Sequence, residues 1–572
     1  MRSVEGAGRR RLAPRAGRRY PARPMTFLLA LLLAAAPDRA GPARAGPTGP
    51  ERAAAARITA ADLSGHLRFL ADDLLEGRKP GTPGSDLAIR YLAAQLESLG
   101  LQPLGEKGSF LQPVPLVELK AQLPPLVKFR AGAQEVALQA GGGVKADLVL
   151  DPDAHVDLAR VQEAPLVFAG YGIVAPEYGW DDYKDVDVRG KIVVLMNFNP
   201  PFAGAGVRLW YGRWDYKYLT AAAHGAVGAL IIHTTASAGY PWQVLANSAD
   251  GTRVDLPPEG EARMQFQGWI AEEAALRLFQ AAGADLEKLR AAAQGKDFRP
   301  QAIDAGLSLE LPVRRRVLQS FNVLGRIPGT DAKLRDEAVL FTAHHDHLGK
   351  VAPVPPATDG IYNGALDNAS GCATLLAMAR AAVSAPPKRS LIFAFVTAEE
   401  SGLLGSKYLA KHLPIPPGRI AADVNVDSVN KWGKTKDLGM LGMGKTSLDV
   451  LVRQAAQEQG RTVHGDPHPD RGAFYRSDQF SLARVGVPPV ALKGGPEYAG
   501  RPPGWGNEQT LAFEQRDYHQ PSDEYHGDWD LSGAIEDAQL QLTVALRIAN
   551  APALPQWKKG DEFEAARKAA AR

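Results

Sequence analysis

The sequence predicts an α/β fold in which a mixed, mostly parallel sheet is sandwiched by helices and interrupted by a smaller α+β block. Three observations carry this. Four apolar runs, Phe321 to Ile327, Ala338 to Thr342, Leu391 to Val396 and Ala421 to Val426, have the length and unbroken hydrophobicity of strands covered on both faces. Stretches of helical character, Cys372 to Val383 and Ser401 to His412, stand between them, and strand alternating with helix at this spacing builds a parallel sheet. Ahead of them, residues 165 to 196 alternate short β-like runs with turn residues and lead into a helix, Tyr218 to Gly225, and a buried strand, Gly228 to His233.

The chain opens with two further predicted helices. Leu63, Leu67, Leu70 and Leu74 mark the first, and Ala88, Tyr91, Leu92 and Leu96 the second, which closes at Gly100. The turn Lys79-Pro80-Gly81-Thr82-Pro83-Gly84 separates them. With 572 residues, 45% of them hydrophobic, the chain has material for several cores. Its single cysteine, Cys372, excludes an intramolecular disulfide and a thiolate metal site, so any metal must be held by His, Asp and Glu.

Charge is unevenly placed. Residues 1 to 50 carry ten Arg against Glu5 and Asp38, so the net +3 of the chain leaves −5 for the remainder. A mildly acidic remainder gives no electrostatic case for nucleic-acid binding. Residues 1 to 45 have the layout of a secretory signal: a basic stretch, the apolar run Phe27 to Ala36 and the small-x-small pattern Ala43-Arg44-Ala45. Ten apolar residues are too few to span a bilayer, which takes ~20. The expectation is an exported protein, periplasmic or extracellular, without stable membrane insertion. Met25 stands directly before the apolar run and is the expected start codon.

Candidate ligand groups follow the predicted strands. His344-His345-Asp346-His347 comes after the second run, Glu399-Glu400 after the third and Asp427 after the fourth, with Asp367 ahead of a helix and His519 near the C-terminal end. In a parallel sheet the carboxyl ends of strands gather in one crevice. Hard divalent ions take imidazole and carboxylate ligands, and two ions ~3.5 to 4 Å apart need a carboxylate between them. Singly each residue has a plainer reading as a turn, a helix start or an exposed histidine. Adjacent carboxylates ending a buried strand fit that reading poorly, because their burial must be compensated.

Together these motifs resemble the co-catalytic di-zinc aminopeptidase family, whose relatives include glutamate carboxypeptidase, the glutaminyl cyclases and the transferrin receptor ectodomain. Residues 165 to 298 resemble the protease-associated domain inserted in many secreted peptidases, through Phe168-Ala169-Gly170-Tyr171-Gly172, Asp187-Val188-Arg189-Gly190-Lys191-Ile192-Val193 and Ala222-Ala223-His224-Gly225-Ala226-Val227-Gly228-Ala229. The resemblance implies a leader at 1–45, a first peptidase segment at 58–140, the insert at 141–305, a second peptidase segment with the metal site at 306–552, and a flexible tail at 553–572. It implies that His344 and Asp427 hold one Zn²⁺, Glu400 and His519 the other, and that Asp367 bridges them; Co²⁺ or Mn²⁺ are possible substitutes. Asp346 then orients His344, and Glu399 is the general base for a metal-bridging hydroxide that cleaves peptide substrates. His345, His347 and Cys372 are read as packing or outer-sphere residues, and Ser477-Asp478 is assigned no chemistry.

The implied activity is that of a secreted aminopeptidase. A carboxypeptidase or dipeptidase reading needs a cationic pocket for a terminal carboxylate, for which Arg476 and Arg501 are candidates. A glutaminyl cyclase reading is disfavoured by the full ligand set and by the insert. A receptor-like binding protein on the same scaffold is the alternative outside enzymes, and stoichiometric zinc discriminates against it.

Overall fold

One strand, Gln301–Ile327, belongs to two sheets and so joins the two layers of the chain. The computed structural model describes residues 49–571 apart from 144, 205, 249–250 and 354–357, and the expected leader at 1–45 lies outside them. In chain order the elements that matter are α1 (Ala60–Leu70), α2 (Pro83–Ser98), β1 (Leu111–Ala121), β2 (Leu148–Pro152), β3 (Leu158–Phe168) and β4 (Ile192–Met196). There follow α3 (Trp214–Ala223), β5 (Gly228–His233), β6 (Phe266–Ala271), the shared strand β7 (Gln301–Ile327) and β8 (Ala338–His344). The last are α4 (Ser370–Val383), β9 (Ser390–Val396), α5 (Leu404–Lys411), β10 (Ile420–Asn425), β11 (Asp437–Leu441), β12 (Pro489–Gly494), α6 (Trp505–Arg516), α7 (Ser532–Asn550) and α8 (Glu564–Ala570).

The larger sheet runs β11-β12-β10-β8-β9-β7-β1, with its four central strands β12, β10, β8 and β9 parallel. Alternate residues of β8 explain why it needs cover on both sides. Val339, Phe341 and Ala343 pack with α1, α4 and α7, while Ala338 and Leu340 pack with Leu409 of α5. The rings of Phe341 and Phe393 stack at 4.6 Å across β8 and β9. Each such side chain, fully removed from water, stabilises by roughly 1.5–3 kcal/mol. The smaller sheet runs β7-β3-β4-β5-β6-β2, with β3, β4, β5 and β6 parallel to their neighbours in that central run.

Four local expectations are corrected. Leu74 does not extend the first helix: it is 66% exposed, because the helix ends at Leu70 and Asp72 takes extended backbone (φ −76°, ψ 144°), which breaks the helical path ahead of it. The helix expected from Ser401 begins at Leu404, since the Glu399 carbonyl accepts from Gly402 and Leu403 N–H, both at 2.8 Å, and closes a turn first. The core of the inserted block takes in Val127, Phe129, Ala131 and Leu138, which lie ahead of the expected boundary at 141, because strand 126–131 pairs onto the first half of β7 and strand 134–139 pairs onto 126–131. The tail expected to be flexible at 553–572 is packed over its described residues, 553–571: Trp557 and Phe563 are buried against Phe474, Tyr475 and Phe480, the Trp557 indole donates to the Gly486 carbonyl at 2.9 Å, and α8 follows.

Candidate metal centre

All the candidate ligands converge at the carboxyl end of the parallel strands. His344 is the last residue of β8, Glu399 and Glu400 follow β9, and Asp427 follows β10. The parallel register pairs His344 with Val396 and Thr342 with Asn425, so three chain segments leave the sheet side by side. Asp367 enters from the turn before α4, and His519 from the turn after α6, where its φ is 57°.

The geometry around Asp367 is two-sided. Its Oδ1 lies 3.1 Å from His344 Nε2 and its Oδ2 3.2 Å from His519 Nε2. On the first side, Asp427 Oδ1 is 3.7 Å from the same His344 nitrogen; on the second, Glu400 Oε2 is 3.2 Å from the His519 nitrogen. Both imidazole nitrogens are buried without a hydrogen-bond partner, although carboxylate oxygens surround them. Nitrogens and oxygens that face one another without a shared proton fit divalent cations between them. Two of the donor groupings close enough for one ion are His344, Asp367, Asp427 and His347, Asp367, Glu400. Glu399 joins His344 and Glu400 in a third. The side chain of His344 is 1% exposed and that of His519 33%, so the site opens on the His519 side.

The electrostatics point the same way. Burial pushes Glu399 well above the usual carboxylate range, and neighbouring Glu400, Asp478 and Asp427 add to it against the opposing pull of His344. Burial opposes the charged form of His344, but Glu399, Asp367 and Asp427 outweigh it and raise that residue well above an ordinary histidine. His519 is raised to about 10 for the same reason, with Asp367 and Glu400 overcoming its burial. Burial likewise raises Asp478 to about 7, and neither of its oxygens has a hydrogen-bond partner. A pocket this rich in carboxylate suits a cation by charge as well as by geometry.

Asp346 is held differently from expectation. Its carboxylate accepts from the backbone N–H of Glu399 at 3.0 Å and of Glu400 at 3.4 Å, while His344 Nδ1 lies 3.2 Å from the Asp346 carbonyl and 3.9 Å from its carboxylate. Asp346 therefore fixes the paired glutamates through their backbone and His344 through its own main chain. Of the histidines read as packing, His345 Nε2 meets the Phe321 carbonyl at 2.9 Å. His347 comes closer to the chemistry, with Nδ1 2.6 Å from Glu400 Oε1. Cys372 Sγ donates to the His344 carbonyl at 3.1 Å and is fully buried.

Residues the sequence did not single out tie these loops together. Asp523 accepts from the N–H groups of Leu366 and Asp367, fixing the turn that presents Asp367. Asn368 donates to the Val426 carbonyl and accepts from Ser428 N–H, both at 2.9 Å, so it brackets Asp427 from both sides. Gly364 has φ +57°, and a Cβ there would stand 2.5 Å from the His347 ring and 2.3 Å from the Asp367 carbonyl, which leaves glycine as the residue that fits. The one available signal was position: Asn368 follows Asp367 directly, and Asp523 closes the motif that contains His519.

Parts of the chain are similar to known proteins. Aminopeptidase YwaD of Bacillus subtilis (strain 168) is 35% identical over 121 residues, 21% of this chain and 24% of that protein. The vacuolar membrane protease of Candida albicans (strain WO-1) is 34% identical over 94 residues, 16% of this chain and 10% of that protein. The matched stretch thus spans about a quarter or less of these curated relatives. Among solved structures, the aminopeptidase from Aneurinibacillus sp. strain AM-1 aligns over 88% of this chain and 97% of its own, at 20% identity and a TM-score of 0.49. Residues 161–260 match the PA domain and residues 322–543, which contain every candidate ligand, match peptidase family M28. The chain is thus similar to peptidase family M28 over the segment that holds the candidate ligands, and to the PA domain over a segment ahead of it.

Proposed function

We propose that the protein is a zinc-dependent exopeptidase, an aminopeptidase that hydrolyses the N-terminal peptide bond of peptide substrates and works outside the cytoplasm. The observation that carries this reading is the two-sided Asp367, whose oxygens face His344 and His519 separately. His344 and Asp427 would hold one Zn²⁺, Glu400 and His519 the other, and Asp367 would lie between them, with Co²⁺ or Mn²⁺ acceptable to the same donors. Bound cations of this kind polarise a carbonyl oxygen and lower the pKa of water.

The chain's own groups supply the rest. Glu399, half-buried beside His344 and Glu400, takes the proton of the attacking water and returns it to the leaving amine. Asp346 holds the Glu399 backbone and so sets where that carboxylate points. The composition of residues 1–45 supports export, and among the described residues no helix is long and apolar enough to cross a membrane.

A carboxypeptidase is kept as a second reading by Arg476, which is exposed and whose charge acts on Tyr518, the residue before His519. Arg501 is the weaker candidate, since its guanidinium lies 4.7 Å over the Trp505 ring. One experiment separates the two: a short peptide and its N-acetylated twin are incubated with zinc-loaded protein, and first products are identified by mass. Loss of the N-terminal residue from the free peptide alone supports the aminopeptidase. Shortening of both from the C-terminus supports the alternative.

A further inference from the structure

Arg78 is a fully buried arginine, 1% exposed, that reaches the underside of the metal site from the break after α1. Its Nε donates to the His345 carbonyl at 2.9 Å and its Nη2 to the Gly364 carbonyl at 3.0 Å. Its Nη1 donates to the carbonyls of Leu70 and Asn363. Two of these acceptors belong to the segment that leads into Asp367, and a third is the residue next to His344. The guanidinium therefore spans the two loops that present the ligands of one candidate ion, and α1 anchors it from behind. No carboxylate forms an ion pair with it among the described residues; its hydrogen bonds all run to backbone.

The chain takes on an unfavourable local conformation to place this group. Arg78 itself has φ 51° and Glu76 φ 47°, a region that side chains other than glycine seldom adopt. Between them a Cβ on Gly77 would stand 2.4 Å from the Gly349 carbonyl oxygen and 2.5 Å from that of Tyr362, so the left-handed path runs directly against the paired strands 349–350 and 361–362. Four carbonyls in different directions match the planar fork of a guanidinium, whereas an ammonium has three donors on one atom.

We propose that Arg78 is a positioning residue for the metal pair, fixing the separation of His344 from Asp367 by cross-linking the carbonyls of His345, Asn363 and Gly364. The inference rests on the reading of the site as a two-metal centre. Outer-sphere partners of this kind typically govern metal affinity by about 10–100-fold. A purely structural role would lower thermal stability and leave the affinity of the folded protein for metal unchanged.

The test is zinc affinity by chelator competition on the full-length protein and its Arg78→Lys variant, each shown to be folded, with kcat and KM measured alongside. The expected result is zinc bound about 10–100-fold more weakly, with kcat lowered and KM little changed. Unchanged zinc affinity in a folded variant, whatever its melting temperature, overturns the proposal. A second measurement needs no variant: hydrogen exchange on the wild-type protein with and without zinc. Residues 77–79 are expected to gain protection together with 363–367, and unchanged protection at 77–79 contradicts the inference. A wild-type protein that binds no zinc overturns the reading of the site itself, which is a different outcome from wild-type binding that Arg78→Lys leaves intact.

Discussion

Asp367 Oδ2 lies 3.2 Å from His519 Nε2, and the two residues come from turns at opposite ends of different helices, one opening α4 and one closing α6. Neither turn has a local reason to approach the other. Asp523 provides the link, since it sits four residues beyond His519 and accepts the N–H of Asp367 at 3.1 Å. The segment that presents His519 thus also fixes Asp367 through Asp523.

The paired glutamates are predicted to divide their work. Glu399→Gln keeps the metal and loses about 10²–10⁴-fold in kcat, the range for removing a general base. Glu400→Gln loses metal at the His519 side, where its Oε2 stands 3.2 Å from the imidazole nitrogen. Metal analysis of both purified variants beside their kinetics checks this, and equal metal loss in the two would contradict it.

Asp346 has no free oxygen to exchange for an amide. Asp346→Asn sets an NH₂ against one of the backbone donors of Glu399 and Glu400, at a cost of roughly 1–3 kcal/mol. Denaturant unfolding of the metal-free protein should show that loss, and kcat should fall because the Glu399 backbone is no longer held.

Asp423 is predicted to be protonated at neutral pH. Gln479 donates to the Phe474 carbonyl and accepts from Asn425, so the Asn425 amide oxygen must accept from the Thr342 hydroxyl at 2.8 Å. The single Thr342 proton is then spent, and the Asp423 carboxyl, 3.0 Å away, must be the donor. Burial raises it to about 8, with Thr342 opposing. Between the unfolded value near 4 and about 8 the native state holds a proton that the unfolded chain lacks. The contribution to stability is therefore fully present below about 4 and is lost as pH rises through about 8, with a slope of at most about 1.4 kcal/mol per pH unit. Asp423→Asn supplies a permanent donor and should flatten that part of the curve; thermal midpoints of both proteins from pH 5 to 9 test it, and parallel curves would refute the assignment.

The C-terminal segment is predicted to be integral to the fold. Trp557→Ala removes a ring that is 5% exposed and a hydrogen bond to Gly486, and should cost about 3–5 kcal/mol. Truncation after 552 should be at least as damaging in the same denaturant titration.

The strands and the candidate site residues were legible because the pattern repeats: an apolar run long enough for a buried strand, then His344, Glu399 and Glu400, or Asp427 at its end. His519 follows no strand, and its pairing with Glu400 was implied only by family resemblance. The residues that join the loops were hidden for a physical reason. Arg78, Asn368 and Asp523 act on backbone carbonyls and N–H groups distant in sequence, and such partners leave no spacing to read. Trp557 and Phe563 were masked by the Ala- and Lys-rich composition around them, although each fills an aromatic cluster built from residues 474 to 480.

The most direct measurement is the number of zinc ions bound per chain by the wild-type protein, by titration of the metal-free form near neutral pH. Two ions per chain, falling below two in Asp367→Ala, is the result this account predicts. A wild-type protein that binds no zinc, or an Asp367→Ala variant that still binds two, would contradict it.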